Sequence, residues 1–159
     1  MNNTPALFEI VENPNADATA PWFEADFFDE VDGNEAIYEN AANEMGLDPD
    51  LLKAIGYMET THGYYDRLHP KNTSFRPMNI RVDTWGKLAE ELGYQPSDIE
   101  TDITANVRTG ALLVKRIWAR TQSPSVSKVA NIYNFLGHEE VSDYGARVDA
   151  IYKKKLWKN

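Results

Sequence analysis

Between residues 34 and 156 the apolar residues recur mostly at three- and four-residue intervals, the period of helices with one buried face. Ile37, Ala41 and Met45 fall four apart, with Asn34 placed as N-cap and Gly46 as C-terminal stop, which predicts a first helix. Asp48 reads as the cap of a second helix whose first residue is Pro49, a position where the missing N–H costs nothing. That helix is expected to run to about His62 and to end at Gly63, with Leu52, Ile55, Glu59 and His62 on one face. Residues 63–81 contain two Pro and no sustained period. They are expected to form a long loop, in part β, and loops of this length in a compact domain are usually functional. Beyond it the spacing predicts helices at Asp83 to Leu92, with Trp85, Leu88 and Leu92 inward, and at about Ile103 to Thr121, with Val107, Val114, Ile117 and Trp118 inward. Two more are expected at Val126 to Leu136 and from Tyr144 to about Leu156, so the expected class is mainly α.

A chain of 159 residues has the size of one ordinary domain and can enclose a core without staples. Cysteine is absent, which excludes disulfides and Cys-ligated metal sites. Charge is distributed unevenly: residues 1 to 52 hold thirteen acidic and no basic residues, while residues 53 to 159 hold sixteen basic against twelve acidic ones. A mildly basic body suits an anionic polymer, and the front end would be repelled by one. Residues 1–33 are therefore expected to be an acidic N-terminal extension to a domain at 34–159, as a solvated tail or a docking segment. The extension also contains Trp22, Phe23, Phe27 and Phe28, a cluster expected to pack on the domain. The start lacks a basic segment followed by an apolar one, and no stretch is apolar enough to span a membrane.

His62, His69 and His138 lack the spacing that would place two imidazoles on one helical face as zinc ligands, so no metal and no cofactor is expected. Glu59 carries more chemistry, because it lies on the apolar face of its helix and near the helix C-terminus. Both surroundings disfavour the anion, so the carboxyl is expected to keep its proton towards neutral pH, as a general acid must.

Five segments set this residue in a wider pattern: AIGYMETTHG, PMNIRVDTWGKLAEELG, DITANVRTGALLVKRI, VANIYNFLG and YGARV. In this order they resemble the lytic transglycosylases of the soluble-lytic-transglycosylase type and, through them, the goose-type lysozymes. Glu59 and Thr60 stand for the family's catalytic Glu and the Ser after it, and Met78 and Asn79 for its Met-Gln pair. Asn106, Val107 and Gly110 stand for its Asn-Ile-x-x-Gly helix, Tyr133 and Asn134 for its Tyr-Asn pair, and Tyr144 and Val148 for its late Tyr-x-x-x-Val. Two departures are present: Arg76-Pro77 replace the family's Gly, and Asn79 is shorter than Gln.

The resemblance implies a lysozyme-like fold with a long active-site loop, and cleavage of the β-1,4 bond between N-acetylmuramic acid and N-acetylglucosamine in peptidoglycan. Glu59 would protonate the leaving oxygen and then, as base, activate the C6 hydroxyl to close a 1,6-anhydro ring, with the substrate's N-acetyl group in place of a protein nucleophile. Thr60, Met78, Asn79, Tyr133, Asn134 and Tyr144 would line the substrate site. A hydrolytic muramidase would need a second carboxylate, for which Asp83 and Asp66 are the candidates, although Asp83 also reads as the N-cap of the helix after it. Tyr64, Tyr65 and Phe75 could stack on sugar rings or pack in the core. A cell-wall-binding module without turnover and a protein-interaction domain led by the acidic front end are the readings of other classes. The expected partner is the peptidoglycan glycan strand rather than nucleic acid or a membrane, reached after specialised export or lysis. A secretion machinery or an immunity protein would then be a further partner.

Overall fold

The computed structural model describes residues 7–19, 31–62, 74–75 and 78–158, and within them the fold is mainly α. After a short 3-10 turn at Asp32–Asn34, the helices are α1 (Glu35–Met45), α2 (Pro49–His62), α3 (Val82–Glu91), α4 (Asp98–Thr101), α5 (Ile103–Arg120), α6 (Val126–Asn134) and α7 (Asp143–Lys154). Strands β1 (Ser74–Phe75) and β2 (Ile80–Arg81) pair antiparallel, with Phe75 opposite Ile80, so the chain turns back immediately before α3.

Local signals set the first two helices. Gly46 ends α1 in the left-handed conformation at φ 70°, which glycine adopts without steric cost, and its N–H bonds the carbonyls of Ala42 and Asn43. Asp48 Oδ1 accepts the Asp50 N–H at 2.9 Å, capping α2. Asn34 occupies the N-cap position of α1 but makes no side-chain capping bond. The buried face of α1 is Tyr38, Ala41, Ala42 and Met45, and Ile37 only flanks it. Tyr38 takes the central place because Gly56 of α2 leaves a hollow beneath its ring, where a Cβ would come within 2.7 Å.

The expected one-sided stripe on α2 is replaced by burial on nearly every side. Leu51, Leu52, Lys53, Ala54, Ile55, Met58, Glu59, Thr60 and Thr61 are all buried, with α1 and α7 both packed against the helix. A helix so enclosed must find partners for its charges. Lys53 Nζ accordingly reaches Glu35 and Glu39 on α1 at 2.9 and 2.8 Å. Burial pulls its ammonium down, but the two carboxylates outweigh this and hold it above the ordinary lysine value. Arg108 to Glu44 and Lys155 to Asp50 likewise join basic residues of the body to the acidic first third.

The later helices depart from expectation at their ends. Arg81, not Asp83, is the N-cap residue of α3, because the helix starts directly from the paired strand β2. Asp83 falls in the first turn, exposed, and pairs with Arg81 at 3.3 Å. One-turn α4 is too short to carry a readable period. Trp118 is 37% exposed instead of inward: Ile117, one residue earlier, takes the core side of the last turn of α5. Helix α6 stops at Asn134, since Phe135 turns extended at φ −154°.

Residues 7–19 are stitched to the helical body, so packing does not stop at residue 34. Phe8 bridges to Thr121 and Val11 to Glu140, both in parallel sense, and Ile10 between them is 3% exposed. Glu12 accepts bonds from the Ser125 and Ser127 hydroxyls at the start of α6, and Asp143 accepts the Asp17 N–H at 2.8 Å. Trp22, Phe23, Phe27 and Phe28 lie outside the described residues. Ile10→Ala should therefore lower stability by about 2–5 kcal/mol through lost burial and the cavity left behind. An unchanged melting temperature in this variant would show that the segment rides on the domain without stabilising it.

Candidate active site

Glu59 lies in the last turn of α2, and although its carboxyl is ionisable the residue is only 8% exposed. Two side chains from distant parts of the chain meet it. Asn79 Nδ2 donates to Oε2 at 2.9 Å, and the Tyr144 hydroxyl donates to Oε1. The carboxyl has thus exchanged water for a side-chain donor at each of its two oxygens, which is what a buried carboxyl group requires.

Asn79 reaches the carboxyl because its backbone is left-handed, φ 56°, a region that Asn tolerates far better than most residues. The residue before it is clamped on all sides. Met78 N–H donates to Asn106 Oδ1 at 2.9 Å, and its carbonyl accepts the Tyr133 hydroxyl at 2.7 Å. Its side chain is wholly buried against Gly110, where a Cβ would approach Met78 Cγ to 2.8 Å. Asn106, itself buried, also donates to the Ile99 carbonyl at 3.1 Å and so ties the turn to α4 and α5.

Tyr133 and Tyr144 enclose the same carboxyl from α6 and α7. Burial, reinforced by the nearby Glu59 charge, pushes both phenols well above the ordinary tyrosine value. For Tyr144 the hydrogen bond to Glu59 adds to this effect. Both therefore remain neutral donors throughout the neutral range.

The expected site residues separate into three groups. Glu59, Asn79, Tyr133 and Tyr144 are brought together: the Tyr144 phenol bonds the carboxyl, and Tyr133 holds the Met78 carbonyl. Met78 and Thr60 are anchors rather than surfaces for a ligand: Met78 is buried in the core, and the buried Thr60 returns its hydroxyl to the Tyr57 carbonyl at 3.2 Å. Asn134 stands exposed at the end of α6 and is not among the described donors to Glu59. Asp83 faces a separate hollow formed with Lys87, Glu90 and Pro96, which does not include Glu59. Asp66, Tyr64, Tyr65 and His69 lie outside the described residues, as do the side chains of His62 and Phe75.

Two contributors went unread in the sequence. Tyr38 is buried close enough to Tyr133 to act on its charge, and Asn131 holds the start of α7. The glycines that admit them, Gly56 for Tyr38 and Gly145 for Asn131, each lie on another helix. An open cavity of about 550 Å³ reaches Tyr144 from the side of residues 7–19, lined also by Asn13, Glu140, Val141, Ser142 and Asp143. Among the described residues no group of His, Asp and Glu could hold a metal ion.

Compared with protein-family models, with curated proteins and with solved structures, the chain finds no match.

The geometry of the site predicts an alkaline signature. The native state keeps the Tyr144 proton at pH values where the unfolded chain gives it up, because its native value is raised above 10.0. Its contribution to stability is thus complete below pH 10 and is lost as pH rises through the native value. In Tyr144→Phe, stability measured by denaturant unfolding should fall less steeply above pH 10, by up to one proton's worth of slope. Equal slopes in the two proteins would rule out the buried phenol contact.

Proposed function

We propose that this chain is a lytic transglycosylase of lysozyme-like fold that cleaves the glycan strands of bacterial peptidoglycan, with Glu59 as both acid and base. The observation that carries this reading is convergence. Glu59, Asn79, Asn106, Tyr133 and Tyr144 come from the five segments that resemble the family, up to 85 residues apart, and one connected set of bonds and packed phenols joins them at a single buried carboxyl.

The chemistry is the one the resemblance implies, and the contacts at Glu59 suit it. Glu59 gives its proton to the leaving glycosidic oxygen as the ring becomes oxocarbenium-like, and the substrate's N-acetyl oxygen bonds C1 as that bond breaks. The C6 hydroxyl then displaces the N-acetyl oxygen from C1, and the Glu59 carboxylate takes the hydroxyl proton, closing the 1,6-anhydro ring and restoring the acid. Tyr144 and Asn79 hold the carboxyl in one orientation through both steps. A hydrolytic reading through Asp83 is less well supported, since that carboxylate is exposed and paired with Arg81. A binding module without turnover would have no use for a buried acid, which costs stability. The target implies delivery beyond the cytoplasmic membrane, by specialised export or by lysis of the producing cell.

Purified peptidoglycan sacculi provide the test. Wild-type protein should release soluble fragments, Glu59→Gln should keep the fold and lose on the order of a thousandfold in rate, and Asp83→Asn should remain near wild type. Near-wild-type release by folded Glu59→Gln would exclude the proposal, and a collapse in Asp83→Asn would transfer the chemistry to a second carboxylate.

A further inference from the structure

The first N–H groups of a helix have no partner within it and need acceptors from elsewhere. At α7 the N-cap residue is Ser142, whose side chain makes no capping bond. The acceptor comes instead from α6. Asn131, wholly buried, places Oδ1 at 2.8 Å from the Gly145 N–H and 3.1 Å from the Ser142 N–H, while its Nδ2 donates to the Ser142 hydroxyl at 3.2 Å. The bond to Gly145, the third residue of the helix, is the one an N-cap side chain ordinarily makes from its own chain. Here it crosses between helices.

Gly145 is the matching requirement. A Cβ there would lie 2.1 Å from Asn131 Oδ1 and 2.4 Å from the Ser127 carbonyl, so the backbone of α7 rests directly on α6. Tyr144 lies between the two bonded positions, Ser142 and Gly145, and its hydroxyl is on Glu59. We propose that Asn131 is a positioning residue: by capping α7 from the neighbouring helix, it sets the distance at which Tyr144 meets the carboxyl. The catalytic part of this inference rests on the proposed role of Glu59, while the structural part does not.

An apolar replacement removes the acceptor of the buried Gly145 N–H and of the half-buried Ser142 N–H, and the start of α7 must move to rehydrate the first of them. A displacement of about 1 Å at a reacting group can cost on the order of a hundredfold in rate. Aspartate is the conservative variant, because its oxygens accept both N–H groups and its charge suits a helix N-terminus.

The experiment uses the full chain as wild type, Asn131→Leu and Asn131→Asp, with two readouts: tyrosine 13Cζ NMR titration of Tyr144, and kcat and KM on soluble glycan oligomers. In Asn131→Leu the Tyr144 resonance should titrate closer to pH 10, and kcat should fall about tenfold to a hundredfold with KM within about threefold. Asn131→Asp should restore both. If Asn131→Leu does not fold, Asn131→Ser, too short to reach both N–H groups, carries the same expectations. Should the wild type cleave no glycan, the catalytic reading fails and the Tyr144 titration alone decides the positioning role. An unmoved Tyr144 titration in a folded Asn131→Leu or Asn131→Ser would overturn it, as would an aspartate variant as impaired as the leucine one, or loss of folding in both truncating variants.

Discussion

A carboxyl group taken out of water has to be met by donors or be kept protonated, since an isolated buried anion costs far more than a small domain can absorb. Glu59 is met by Tyr144 and Asn79, and the placing of those two side chains draws on much of the remaining structure. Neither lies near Glu59 in sequence. Asn79 depends on a left-handed backbone at the end of a turn, which in turn depends on Met78 being clamped by Asn106, Tyr133 and the hollow at Gly110. Tyr144 depends on the way α7 is seated on α6.

The enclosure of α2 makes this arrangement stiff. With α1 and α7 packed against it, the helix cannot shift without moving Lys53 away from Glu35 and Glu39, and a buried ammonium that loses its carboxylates is strongly destabilising. The same pairing gives the uneven charge of the chain a structural purpose. Part of the acidic first third is matched within the fold by basic residues of the body, and residues 7–19 are held to that body by backbone bridges at Thr121 and Glu140, by Glu12 at the start of α6 and by Asp143 at the start of α7.

How much could be read from the residues alone follows from the range of each interaction. The Gly46 stop and the Asp48-Pro49 start are decided within four residues, and both are found where the pattern placed them. The buried face of α1 was less legible: Ile37 and Tyr38 fit the period almost equally, and the choice is made by Gly56 on another helix. Asp83 reads as a cap because strand pairing at β2, which moves the cap two residues back to Arg81, leaves no mark in so short a strand. At the site, the motif segments contain Glu59, Asn79, Tyr133 and Tyr144, but which phenol reaches the carboxyl depends on how α6 and α7 cross. Asn131 had no signal of its own. It reads as an ordinary polar residue in a helix until Gly145, fourteen positions later, is seen to rest on it.

In the proposed function, one buried carboxyl, held at both oxygens, performs glycan cleavage without a second. Mass analysis of the fragments released from purified sacculi tests it most directly, because the new chain end records what attacked C1. Muramic acid ends in the 1,6-anhydro form are the result this account predicts. Reducing ends, which require a water activated by a further carboxylate, or the absence of any released fragment, would contradict it.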